Sequence, residues 1–192
     1  LLGSFLAYLF ARRQRALRRK PLLVWADNGQ PPVIKSPPIP DGWHLFLSHK
    51  WPTGQVHVAM IQKMLLSYLP DCRCFLDVND LADIEKLEQY IERSAVVLVF
   101  LSRAYFGSRG TMLELWAAHS QNKPILVVYI EEPDHGGGAL TELLADCPPE
   151  LRDWLLAEPP LRWSIKPHFQ RVALTQIAER VLCLPATNTA TL

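Results

Sequence analysis

The sequence is short of the patterns that announce a metal or a bound phosphate. Its four cysteines (Cys72, Cys74, Cys147 and Cys183) form no CxxC pair and no zinc spacing, so a zinc module is excluded. They read as buried free thiols, which fits a reducing compartment. His49, His57 and His119 fall at no nucleophile or ligand spacing, and no metal is expected. There is no GxxxxGK[ST], and the first strand runs into SHKWPTGQ where a dinucleotide fold would carry GxGxxG; a P-loop and a dinucleotide fingerprint are therefore excluded. Ser48, His49 and Lys50 stand where a phosphoacceptor receiver domain would need acids. No apolar run approaches the roughly 20 residues that cross a bilayer.

What is present suits a folded soluble domain with extensions. The chain has 192 residues, 49% apolar and 20% charged, enough for a substantial core. The net charge of +1 hides an asymmetry: six Lys/Arg and no acid lie in the first 20 residues, leaving 14 basic against 19 acidic residues beyond them. The main body is mildly acidic, a poor match for nucleic acid. The segment 1–20 joins ten apolar residues (LLGSFLAYLF) to a basic cluster, Arg12 to Lys20. A signal peptide has the opposite order. Three readings stay open: the last half of a membrane span with the basic cluster on the cytoplasmic side, an amphipathic helix on a membrane or partner, and an ordinary soluble helix. The chain opens on Leu-Leu and not Met, so the expectation is a fragment with domains missing upstream.

Residues 21–40 form a linker. Within it, Pro31 to Pro40 has five prolines in ten residues and reads as an extended spacer. A folded domain is expected over 41–184, with a frayed tail over 185–192. Strands are expected at His44–Ser48, Cys72–Val78, Ala95–Leu101, Ile125–Ile130 and Leu161–Ile165. Pro52, Thr53 and Gly54 read as a turn. Helices are expected at Val56–Leu69, Glu85–Ser94, after Gly110, at Leu140–Leu156 (broken by Pro148-Pro149) and at Phe169–Leu184. This alternation predicts a flavodoxin-like three-layer α/β fold: a five-stranded parallel sheet with helices on both faces. Ala95–Leu101 is apolar throughout and reads as the central strand.

In such a sheet, ligands sit beyond the carboxyl ends of the strands. Glu114 falls there, one loop after the central strand. Two readings of it stand together. Thr111-x-x-Glu114 matches a capping box, with Thr at the N-cap and Glu at N3, a position the helix dipole also favours. Alternatively, Glu114 is a catalyst. The first loop adds Ser48, with Lys50 suited to a phosphate and Trp51 suited to stacking on a base. Asp77, Asp80 and Asp83 read as an acidic solvated loop, with shaping the entrance or binding a cation as the alternatives.

Several segments, taken in order, resemble a TIR (Toll/interleukin-1 receptor) domain. Phe46-Leu47-Ser48-His49 is similar to that family's opening box, and Phe75-Leu76-Asp77 to its second landmark. Ile91-Glu92-Arg93-Ser94, followed by a strand ending in Leu101-Ser102, matches the next segment. Ser108 and Glu114-Leu115 fit the S-x-x-C-x-x-E-L pattern, and Lys123-Pro124-Ile125 fits the start of the fourth strand. FLSHKWPTGQ with CFLDVNDLADIEKLEQYIERS resembles TIR-like domains of unicellular eukaryotes. Where the family carries cysteine the chain has Thr111, and Gly110 stands where NAD-cleaving members often carry Trp. The Phe-Trp box of animal receptors is absent.

The resemblance implies two functions. In NAD-cleaving members a glutamate at the position of Glu114 is catalytic, with NAD as substrate and no other cofactor; Ser48, Lys50, Trp51 and Ser108 would then line the substrate site. Breaking the nicotinamide–ribose bond passes through an oxocarbenium-like state that one carboxylate can stabilise. Nicotinamide is already a cationic leaving group, so no second acid is needed. The alternative is a non-catalytic signalling module that pairs with other TIR domains or with its own copies. Trp116, Trp154 and Trp163 are candidate contacts there. Either way the basic segment would hold the domain at the cytoplasmic side of a membrane and favour assembly.

Overall fold

The computed structural model describes residues 23–35, 37, 39, 41–76 and 84–183. Contacts divide the chain into units 1–32 and 33–192. In the first, residues 23–32 close a tight turn: Trp25 N–H donates to the Gln30 carbonyl (2.9 Å) and Gly29 N–H to the Trp25 carbonyl (2.8 Å). Gly29 sits at φ +67°, where glycine avoids the Cβ penalty.

The second unit alternates strands and helices: β1 (Trp43–His49), α1 (Trp51–Tyr68), β2 (Cys74–Phe75), α2 (Ile84–Glu92), β3 (Ser94–Leu101), α3 (Arg109–Ser120), β4 (Ile125–Ile130), a 3₁₀ turn (Pro133–His135), α4 (Leu140–Leu143), α5 (Pro149–Leu155), β5 (Leu161–Trp163) and α6 (Pro167–Cys183). All four strand pairings are parallel, in the order β2-β1-β3-β4-β5. This is the expected five-stranded sheet.

Side-chain parity explains the layers. Val97, Val99 and Leu101 of β3 join Phe46, Leu87, Ile91, Leu115, Ala118 and Leu151 in one core, under α2, α3 and α5. The alternate residues Leu98 and Phe100 are equally buried and face the other way, and His57 of α1 stacks on Phe100 with centroids 5.6 Å apart. On that face α1 packs against α6 through buried Val58, Ile61, Leu174 and Ile177. Each such buried aliphatic side chain contributes roughly 1.5–3 kcal/mol. The chain order reverses direction between β1 and β3, so a crevice is expected outside their carboxyl ends. Their register pairs Ser48 with Val99 and His49 with Phe100, which brings the two strand ends to one rim.

Several sequence expectations are corrected. Pro52-Thr53-Gly54 is the first turn of α1, not a loop; a first-turn proline loses no helical hydrogen bond. Gly54 lets the helix close on the sheet, since a Cβ there would lie 3.1 Å from His49 Cβ and 3.4 Å from Phe100. Within the described residues β2 spans only Cys74–Phe75. α2 ends at Glu92, and Ser94 opens β3 while its hydroxyl donates to the Tyr90 carbonyl (2.8 Å). β5 ends at Trp163, before Ile165, and α6 begins two residues early, at Pro167. The prolines break the 140–156 segment into α4 and α5 as expected. Cys72 and Cys147 are buried, but Cys74 is half-buried and Cys183 exposed. Trp163 is a core residue, whereas Trp116 is exposed. The segments 1–20 and 185–192, Leu184, and the acidic loop of Asp77, Asp80 and Asp83 lie outside the described residues. Among those described, no helix is long and apolar enough to cross a membrane.

Candidate functional site

Glu114 does not cap its helix. α3 begins at Arg109 with Ser108 as N-cap (φ −93°, ψ 124°), and no acidic residue lies in its first turn. The capping box expected from Thr111 and Glu114 is therefore absent. Thr111 lies inside the helix, where its hydroxyl is shared between the carbonyls of Tyr105 (2.5 Å) and Ser108 (3.0 Å). The helix starts earlier than its threonine suggested, which moves Glu114 into the second turn. There Thr111, Glu114, Leu115 and Ala118 form one inward stripe at three- and four-residue spacing, and Glu114 is only 7% exposed.

A carboxylate buried on a core-facing stripe needs partners. β1 supplies one. Ser48 shares the sheet face of Phe46, is fully buried, and its Oγ–H donates to Glu114 Oε2. That proton is then spent, so the second contact of Ser48, to the Tyr105 hydroxyl at 2.5 Å, has tyrosine as donor. Burial, reinforced by the negative charge of Glu114, holds the Tyr105 hydroxyl well above its ordinary pKa, against the opposing pull of its Ser48 bond. The result is a directed chain, Tyr105 to Ser48 to Glu114, joining the loop after β3, the end of β1 and the second turn of α3. Ala104, beside Tyr105, takes a left-handed φ of +59°, at a cost of roughly 1–2 kcal/mol. The bonds from Thr111 and from Ser108 N–H to the Tyr105 carbonyl brace that loop.

Tyr105 was not among the residues picked from the sequence. Its signal is there: a tyrosine in the loop the switch-point rule assigns to the crevice, whose hydroxyl needs a partner once buried.

The structure joins Ser48 and Glu114 directly. Lys50, half-buried, is the N-cap residue of α1, and Trp51, the first residue of that helix, is 53% exposed. Ser108 makes no side-chain cap bond. None of these three touches Glu114 through a hydrogen bond among the described residues. Beside them the rim is tied by side chains: Thr53 Oγ1 meets Ser102 Oγ at 2.8 Å, and His49 Nε2 meets Gln55 Oε1. Arg103 donates to the carbonyls of Pro133 (3.3 Å) and Gly137 (3.1 Å), anchoring the loop after β4. At Gly110 an added Cβ would find nothing nearer than Ser108 Oγ at 3.9 Å. Among the described residues no group of three or more His, Cys, Asp or Glu could hold a metal ion.

A flavodoxin-like sheet with the buried carboxylate of Glu114 at its switch point defines a class of α/β domain whose ligands bind beyond the strand ends. Within that class the chain belongs to the TIR domain family, whose model matches residues 45–148. No curated protein matches the chain. Among solved structures, it is similar to a metazoan TIR-STING receptor from C. gigas in complex with 2′,3′-cGAMP, at 19% identity and TM-score 0.52. That match covers 79% of this chain and 42% of the receptor, so the present chain spans under half of the receptor's length. A second similarity, to the TIR domains of the activated Roq1 resistosome recognising the effector XopQ, has 18% identity and TM-score 0.40, covering 72% of this chain and 84% of that one. At these identities the first likeness speaks for the fold alone.

Proposed function

We propose that this TIR domain cleaves the nicotinamide–ribose bond of NAD, with Glu114 as the catalytic carboxylate. One observation carries the reading: Glu114 is held at the switch point by Ser48 and makes no helix cap. A buried carboxylate fixed by a neighbouring hydroxyl suits a positive charge developing on a ribose ring. Ser48 bonds Oε2 of that carboxylate and so fixes its orientation at the strand ends. Tyr105 acts through Ser48 and is a positioning residue. Lys50 and Trp51 stand on the same rim for a phosphate and a base, and Ser108 for a ribose hydroxyl. The test is nicotinamide release by the domain clustered on vesicles. Wild type releases nicotinamide and Glu114→Gln does not; a clustered wild type that leaves NAD intact sinks the proposal.

A specific observation also favours TIR–TIR assembly. Val56 and Met60 on α1, Phe169 and Val172 in α6 and Ile165 just before it are exposed apolar residues, and the two helices pack together. Such a patch suits a second copy. Phe169→Glu should weaken self-association while Glu114→Gln leaves it intact, which separates assembly from chemistry. The basic segment Arg12 to Lys20 would raise local concentration at the cytoplasmic face of a membrane; deleting residues 1–30 should then release the protein from vesicles.

A further inference from the structure

We propose that Cys72 and Cys74 form a redox pair that closes reversibly into an intrachain disulfide at the edge of the sheet. Their sulfurs lie 3.8 Å apart, and neither is in a disulfide. A disulfide needs about 2.05 Å between sulfurs, a gap that side-chain rotation can close. The residue between them is fixed. Arg73 N–H donates to His44 Nδ1 (2.7 Å), and the Arg73 carbonyl accepts from the N–H groups of His44 (2.8 Å) and Leu45 (3.3 Å). Gln62 holds the Cys74 carbonyl (3.3 Å). With that peptide clamped, the flanking thiols stay on one side and near each other, so closure costs little ordering entropy.

Access and polarity suit the chemistry. Cys72 lines a cavity of about 420 Å³ with Lys35, His44, Asp71 and Arg73, wide enough for a small peroxide. Lys35 and Arg73 there are cations and Asp71 an acid, so the cavity is polar.

The oxidant is hydrogen peroxide. The Cys72 thiolate attacks one peroxide oxygen; the O–O bond breaks, and the departing hydroxide takes a proton to become water. Cys72 is now a sulfenic acid. Cys74 gives up its proton as its sulfur attacks the Cys72 sulfur; the S–O bond breaks, and the leaving hydroxide takes that proton as a second water. Two thiols lose two electrons, and peroxide gains them. A dithiol reductant reverses the bond by exchange.

The experiment treats the reduced whole chain with one equivalent of hydrogen peroxide, alkylates it, and maps the peptides by mass. The expected result is a peptide in which Cys72 and Cys74 are bridged and unalkylated, while Cys147 and Cys183 are alkylated; dithiothreitol restores both thiols. In Cys74→Ser, dimedone should capture Cys72 as the sulfenic acid, while Cys147→Ser should bridge as wild type does. Two results overturn the proposal: Cys72 and Cys74 both alkylated while exposed Cys183 is oxidised, or oxidation of either to sulfinic acid without bridging. The wild-type map decides the matter even if a variant fails to fold.

Discussion

The two ends of the sheet use buried polar groups in different ways. At the amino end, side chains bond to backbone. His44 spends both ring nitrogens on the Lys35 carbonyl (2.8 Å) and the Arg73 N–H (2.7 Å). Lys123 donates to the carbonyls of Glu92 (2.6 Å) and Ser94 (3.0 Å). These contacts staple segments together. At the carboxyl end, side-chain-to-backbone bonds such as those of Arg103 and Thr111 are joined by bonds between side chains: Ser48 to Glu114 and Tyr105, Thr53 to Ser102, His49 to Gln55. Bonds of that kind are the minority in folded proteins. Backbone staples hold whatever sequence surrounds them, whereas a side-chain network fixes particular groups in particular places. On the proposed function, stability falls to one end and chemistry to the other.

The largest expected effect tests that division at its functional end. Glu114→Gln should lower NAD cleavage by at least about 100-fold, the scale of removing one electrostatic stabiliser of a charged transition state. Glutamine still accepts from Ser48, and no helix cap is lost, so stability should change by less than about 1 kcal/mol. Activity and thermal unfolding measured on the same sample decide it. A variant that unfolds early while keeping its activity would reverse the comparison.

At the other end, His44→Ala should behave in the opposite way. It leaves the Arg73 N–H without its acceptor, costing about 1–3 kcal/mol, and should leave NAD cleavage by the folded fraction unchanged. Denaturant unfolding and specific activity check both halves. The same residue gives a pH signature. Burial holds the His44 ring below the usual histidine range, against the raising pull of the Lys35 carbonyl. Its Nδ1 accepts a hydrogen bond from the Arg73 N–H, so the folded state favours the neutral ring. The unfolded chain binds that proton more readily, and stability therefore falls as pH drops through about 6.5, the unfolded value. His57, also lowered by burial, adds to the same trend. His44→Ala should flatten, without abolishing, the fall in melting temperature between neutral and mildly acidic pH.

How much of this was legible depended on period and parity. β4 reads off the sequence to the residue because ILVVYI is apolar and bounded by Pro124 and a Glu-Glu pair. The expected β3 omits only Ser94, which doubles as a partner of the preceding helix. Helix starts were harder. Pro52-Thr53-Gly54 carries the residues of a turn, yet proline suits a first turn and Gly54 answers a close contact with β1 and β3 that no local pattern reveals. Thr111 and Glu114 carry the residues of a cap, but the same spacing also puts both on one helix face, and the core decides between the two. Tyr105 was missed because its role depends on Ser48, 57 residues away.

Tyr105→Phe sharpens the comparison at a finer scale. It removes one hydroxyl and keeps the buried ring, which packs edge-on against Phe106 with centroids 5.3 Å apart. Ser48 keeps its bond to Glu114 and loses only its donor. Stability should change by about 0.5–1.5 kcal/mol, and NAD cleavage should fall by no more than about tenfold, chiefly through kcat if the role is positioning. A loss as large as that of Glu114→Gln would place Tyr105 among the reacting groups.

Gly110→Ala is the smallest effect and sets the boundary of the functional end. Gly110 lies in the first turn of α3 with an ordinary negative φ, and an added methyl has nearly open space around it. Neither backbone geometry nor packing demands glycine there. Alanine should therefore stabilise the domain by about 0.4–1 kcal/mol, because it narrows the unfolded ensemble and favours the helix. If the carboxyl end is divided between scaffold and site at Glu114, NAD cleavage should stay at the wild-type level. If the missing side chain leaves room that the substrate occupies, the same substitution should raise KM while it raises the melting temperature. Paired measurement of KM and melting temperature thus tells whether the glycine belongs to the helix or to the crevice.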